Sequence, residues 1–99
     1  KKVNPHLYLI KSSAGWNKGG SHPKCWVIEG SNSGSSNEWT VLDTRNNCML
    51  LDGNAATQCF PIKKHGEFYR YLRIRQTNPN VAGNYYFAIS SLEYFGSIQ

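Results

Sequence analysis

The residue pattern predicts an all-β domain, an antiparallel sandwich or barrel, on three observations. Apolar side chains alternate with polar ones or gather in short runs, which is the period of strands and not of helices. Clusters of Gly, Asn, Ser and Pro separate these segments at short intervals. Aromatic residues make up 13% of the chain, and they favour pleated, half-buried surfaces. Ninety-nine residues suffice for one small core, so a single domain over 1–99 is expected.

Taken in order, Leu7-Tyr8-Leu9-Ile10 is a short apolar run closed by Ser12, Ser13, Ala14 and Gly15, the pattern of a buried strand. Residues 15–23 are polar and glycine-rich, hence a loop. Trp26, Ile28 and Gly30 then alternate with Val27 and Glu29 in a second strand. Residues 31–37 are turn formers in nearly every position. Trp39, Val41 and Asp43 alternate with Thr40, Leu42 and Thr44 in a third strand. Asn46-Asn47 and Asp52-Gly53-Asn54 bracket Met49-Leu50-Leu51 in a less regular stretch. Cys59-Phe60-Pro61-Ile62 reads as a short strand, with Pro61 marking an edge or an end. After the turn Lys63-Lys64-His65-Gly66, residues 68–76 form the longest unkinked strand candidate. Leu72 and Ile74 lie on one of its faces, with Tyr69, Tyr71 and Arg73 on the other. Residues 77–84 make a second exposed loop, and 85–95 close the chain as a strand kinked at Ser90-Ser91. There is no internal repeat, linker or helix pattern.

The formal charge of +5 would aid contact with acidic proteins, phosphates or an anionic membrane face. The basic residues are scattered, and their one dense group, Arg70-Tyr71-Leu72-Arg73-Ile74-Arg75, falls in a strand. A generic basic surface explains them better than nucleic-acid binding. Tyr69, Tyr71, Arg73 and Arg75 on one face could stack bases, but a sandwich ordinarily covers or solvates such a face. No apolar run approaches membrane-spanning length, so a soluble chain is expected. Cys25, Cys48 and Cys59 are odd in number, and no Asn opens an Asn-x-Ser/Thr site. Both features point to a reducing, intracellular setting.

Reactive chemistry is hard to assemble from these residues. Cys25 with His22 and Cys59 with His65 lack the signature of a cysteine hydrolase. Asp43, Asp52, Glu29, Glu38 and Glu67 form no paired-carboxylate motif. His22, Cys25, Cys48 and Cys59 show no Cys-x-x-Cys spacing, and Asp52-Gly53-Asn54 lacks the further acids of a calcium loop. The expectation is therefore a non-enzyme without metal or cofactor.

A family becomes visible in three blocks. Trp26-Val27-Ile28-Glu29-Gly30-Ser31-Asn32-Ser33-Gly34 followed by Trp39-Thr40-Val41-Leu42-Asp43 resembles a block of discoidin, or coagulation factor 5/8 type C, domains. Residues 68–77 resemble their arginine-rich strand. Ser91-Leu92-Glu93-Tyr94-Phe95-Gly96 is similar to their closing strand. The blocks stand in family order and span most of the chain from Tyr8 to Gly96. The resemblance implies a galactose-binding-like jelly-roll sandwich, incomplete on its N-terminal side, since the family domain has strands before the one at residues 7–12. It also implies a companion segment or partner surface to cover the edges left bare. The missing cysteine after Gly96 resembles the intracellular branch of the family, found on large scaffold or ubiquitin-pathway proteins.

With the chain termini together at the opposite end, as the resemblance implies, antiparallel geometry places the loops at 13–24 and 78–84 at one end of the sandwich, the end where family members bind. Trp16 is the sharpest candidate, an indole among Gly15, Asn17, Lys18, Gly19 and Gly20 with few apolar neighbours. Its bland reading is that it folds back over Pro23 or Pro79. Asn17, Lys18 and His22 join it from the same loop, and Asn78, Asn80 and Asn84 from the other. Each of these has an ordinary loop role as the alternative. Trp26 and Trp39 are expected in the core, and Arg73 as a hydrogen-bonded structural arginine. The leading expectation is a protein-interaction module on a large intracellular, cytoskeleton-associated or similar scaffold. A carbohydrate-binding module comes second, a fixed structural brick in a large assembly third, and an anionic-lipid binder fourth.

Overall fold

The expected strands form, and they form as two stacked sheets. The computed structural model describes residues 1–12, 23–35, 37–51, 57–64, 66–80, 83 and 89–98. Six strands run β1 (Val3–Ser12), β2 (Trp26–Ser31), β3 (Thr40–Arg45), β4 (Thr57–Pro61), β5 (Tyr71–Gln76) and β6 (Ile89–Ile98). One sheet has the order β4-β1-β6 and the other β3-β2-β5, with every pairing antiparallel. This is an antiparallel β-sandwich, compatible with a jelly roll. No described residue is helical.

The core lies between the sheets and is built from their inward positions. Tyr8 and Ile10 of β1 and Phe60 of β4 meet Trp26 and Ile28 of β2, Leu42 of β3, and Leu51, Ile62 and Tyr69 from the connections. Phe60 stacks on Tyr8 at 5.2 Å and meets Trp26 edge-on at 5.3 Å, geometries that suit the ring quadrupoles. Trp26 Nε1 donates to Tyr8 Oη at 2.9 Å, and Tyr8 Oη donates to Asp43 Oδ2 at 2.5 Å. Arg45 Nε donates to the same carboxylate oxygen at 2.9 Å, and its Nη2 reaches the Pro61 carbonyl at 3.1 Å. The polar tips of two core aromatics are thus satisfied inside the molecule.

Asp43 reaches that position through a β-bulge. Ile28 pairs with Asp43, yet Glu29 pairs with Val41, so β3 has one extra residue there. Both Leu42 and Asp43 consequently face the interior, whereas strict alternation groups Asp43 with Val41. Two other sequence expectations are corrected in the same region. Tyr69 shares no face with Tyr71 and Arg73, because β5 starts at Tyr71. Tyr69 instead exchanges backbone hydrogen bonds with Val3 (2.9 and 2.7 Å) and lies buried. Its ring occupies the space over Gly30, where an added Cβ would come within 2.7 Å. Trp39, expected in the core, is only half-buried, with the Arg73 guanidinium 3.9 Å above its ring.

Strand ends moved in physically readable ways. β1 begins at Val3 rather than Leu7, running through Pro5, because a register shift between Pro5 and Leu7 accommodates a residue with no N–H to donate. β4 is an edge strand ending at Pro61, as the proline indicated. In β6 the ladder passes from Lys11↔Ser91 to Ser12↔Ile89, so the irregularity expected at Ser90-Ser91 is present.

Candidate functional site

The register fixes which connections share an end. Lys11 pairs with Thr57, Ser12 with Ile89, and Trp26 with both Arg45 and Gln76. The end of β1 therefore lies with the starts of β4 and β6, and the start of β2 with the ends of β3 and β5; the Val3–Tyr69 bridge joins the two sheets at the other end, so these six termini share one end. Three backbone-anchored bonds tie this end. Cys48 N–H donates to the Lys24 carbonyl at 2.8 Å, Thr77 N–H to the Cys25 carbonyl at 3.1 Å, and Asn47 N–H to Cys25 Sγ at 3.3 Å. Asn47 takes φ 53°, a left-handed conformation that asparagine tolerates better than most residues.

Between these anchors lies an open cleft of about 520 Å³, lined by Lys24, Cys25, Asn46, Asn47, Asn78, Pro79, Asn80 and Gly83. Asparagine amides both donate and accept, so such a lining suits a peptide backbone or the hydroxyls of a sugar. Lys24 adds a positive charge. Two residues past Asn47, Met49 and Leu50 are exposed (48% and 54%), while Leu51 is wholly buried in the core. An exposed apolar pair next to a buried neighbour suits an interface anchor.

Of the residues singled out from sequence, Asn78 is exposed and lines the cleft. Asn80 also lines it but is fully buried, and its carbonyl accepts the Gly83 N–H at 2.9 Å, so it shapes the turn. Trp16, Asn17, Lys18, His22 and Asn84 lie outside the described residues. Lys24, Asn46, Asn47, Met49 and Leu50 were missed by sequence reasoning. The available signal was an apolar triplet between two turn-forming clusters, a pattern that leaves part of the triplet in solvent.

The acids elsewhere are occupied. Glu29 is buried on the outer face of its sheet and accepts from Arg73 Nε at 2.8 Å and from Arg75 Nε at 3.2 Å. Burial alone would raise its carboxyl, but the hydrogen bonds and charges of Arg75 and Arg73 outweigh it and hold the group below the ordinary value. Asp43 is engaged by Tyr8 and Arg45, and burial together with that bond pushes the Tyr8 phenol far up. The cysteines are unpaired. Among the described residues no three His, Cys, Asp or Glu side chains converge as a metal site would require.

No family model matches the chain. It is similar to the E3 ubiquitin-protein ligase Ufd4 of Drosophila melanogaster, 30% identical over 100 residues. That similarity covers 97% of this chain and 4% of Ufd4, so the chain spans a small fraction of its curated relative.

Proposed function

We propose that this chain is a non-catalytic protein-interaction module of discoidin type, one small part of a large intracellular protein, that docks a protein partner at its loop end. The observation that carries the reading is the cleft itself: amides of Asn46, Asn47 and Asn78 with Lys24, next in the chain to exposed Met49 and Leu50, on connections that flank β2, β3 and β5. The occupied carboxylates of Glu29 and Asp43 support a module that binds rather than reacts. Similarity to a stretch of an E3 ubiquitin ligase supports a part that recruits proteins, since such an enzyme must select them. The amide-rich lining also favours a second reading, a carbohydrate-binding module.

A peptide array and a glycan array, probed with the chain and with Lys24→Glu/Leu50→Asp, test the two readings together. Peptide hits weakened at least about tenfold by the substitutions support protein docking, as expected for loss of a central anchor. Glycan hits with the same sensitivity would move the conclusion to the second reading. Hits unaffected by either substitution would reject the loop end as the site.

A further inference from the structure

The outer face of the β3-β2-β5 sheet sets two guanidiniums against one carboxylate. Alternation along β5 sends Tyr71, Arg73 and Arg75 outward, opposite Ser31, Glu29 and Val27 of β2. On the far side of β2, Val41 stands opposite Glu29 and Thr44 opposite Val27. The face is built from residues internal to the chain. A strand added beside β3 or β5 would lie in the plane of the sheet and leave this face open.

Arg73 is locked there with its forked edge free. Its Nε donates to Glu29 Oε1 at 2.8 Å, and its guanidinium carbon lies 3.9 Å from the centre of the Trp39 ring. A hydrogen bond on one edge and a ring against one face fix the plane of the group. Among the described residues no acceptor is bonded to its Nη groups, donors suited to gripping an oxyanion. Arg75 commits Nε and Nη2 to the same carboxylate, at 3.2 and 3.4 Å. The two arginine side chains are 40% and 53% exposed, whereas the carboxylate they share is buried.

Charge selects the ligand. Two guanidiniums on one carboxylate leave a single positive charge, which one further carboxylate neutralises. A phosphate would bring close to two negative charges beside the buried Glu29, more than the site balances. A base stacking on Trp39 would compete with Arg73, which already occupies a face of that ring. Exposed Tyr71, along β5, and exposed Val41, across β2, border Arg73 and would shield an ion pair there from water. A central arginine within an apolar border is a common anchor of protein interfaces.

We infer that the outer face of the β3-β2-β5 sheet binds an acidic side chain of a partner polypeptide, its carboxylate bridging Arg73 and Arg75 and its apolar neighbours resting on Val41 and Tyr71. Glu29 is a positioning residue in this site: it aims both guanidiniums and lowers their joint charge to suit one acid. The face shares no residue with the loop-end cleft, so either can fail without the other.

The test clears random twelve-residue peptides on the immobilised Val41→Glu chain, then selects the remainder on the parent 99-residue chain. Val41→Glu, at an exposed position, keeps the loop end and places a competing carboxylate beside the arginines. The expected peptides carry one Asp or Glu next to apolar residues, and bind at least about tenfold more weakly when that acid becomes Asn or Gln. Added salt should weaken them too. In the ¹⁵N-labelled chain their amide shifts should fall on 27–31, 40–44 and 71–76 and spare Lys24, Asn47 and Asn78. Arg75→Gln should weaken binding at least about tenfold, and so should Arg73→Lys, which keeps the charge and loses the fork. Enrichment of no acidic peptide, shifts at the loop end, or binding unchanged in Arg75→Gln would each overturn the proposal. So would tighter binding when phosphoserine replaces the acid, or an oligonucleotide or phosphatidylserine vesicle whose binding Arg75→Gln abolishes.

Discussion

The two long sides of this sandwich have the same backbone design and opposite finishes. Along the β3–β4 side, Phe60, Ile62 and Leu42 are buried to 4% exposure or less. Arg45 lies across the opening, its guanidinium 5.0 Å from the Phe60 ring centre and bonded to Asp43 and the Pro61 carbonyl. Along the β5–β6 side, the inward residues Leu72 and Tyr94 are only partly covered and Ile98 stands largely in solvent. One arginine bridging between the sheets covers the inward residues of the β3–β4 side, and among the described residues no such bridge spans the β5–β6 side. The alternation of residues in a strand thus says which way a side chain points, not whether anything waits there to cover it.

The largest expected contrast comes from truncating one apolar residue on each side. Phe60→Ala should lose about 3–5 kcal/mol of stability, through lost transfer energy and an unfilled cavity touching Tyr8 and Trp26. Ile98→Ala should change it by under about 0.5 kcal/mol, as surface substitutions generally do. Urea denaturation followed by tryptophan fluorescence measures both, and similar losses would break the comparison.

Next in size is the polar bridge. Asp43→Ala leaves Tyr8 Oη and Arg45 Nε without their acceptor, and should lose about 2–3 kcal/mol. A Tyr8→Phe partner substitution should then cost less than it does alone, because its bond to Asp43 is already gone and only the acceptor of Trp26 Nε1 is newly lost; a double-mutant cycle reads this coupling. Gly30→Ala tests the join between the sides, since its Cβ would sit 2.7 Å from the Tyr69 ring. A loss of about 1–3 kcal/mol by thermal denaturation is expected for such overpacking.

The smallest effect is the pH response of the outer face. Glu29 has a folded pKa below its ordinary 4.5, so its contribution is present above that value and is lost as pH falls through the depressed one. Melting temperature should decline on acidification below about pH 4.5, and Glu29→Gln should flatten that part of the curve. A decline unchanged in the variant would assign the acid sensitivity to other carboxylates.

Much of this fold was legible in the chain. The six strands and the edge proline Pro61 follow from the spacing of apolar and turn-forming residues. What escaped were features set by a partner strand. The bulge that turns Asp43 inward depends on how β3 pairs with β2, and the burial of Tyr69 depends on a bridge to Val3, sixty-six positions earlier. No local periodicity encodes either. The candidate site was legible only coarsely: Asn78 was found, while Lys24 and Asn47 became visible once the register brought β2, β3 and β5 to one end. The difference between the two sides could not be read beforehand, because it depends on coverage rather than orientation.

The three unpaired cysteines are graded by depth, with Cys59 at the surface, Cys48 partly covered and Cys25 buried beneath the Asn47 amide. Their thiols amount to an intrinsic set of depth markers. A small alkylating reagent would modify Cys59 at once, whereas Cys25 would react only when the loop end opens. The rate at the innermost sulfur would then clock the breathing of the recognition surface, without a label or a probe ligand.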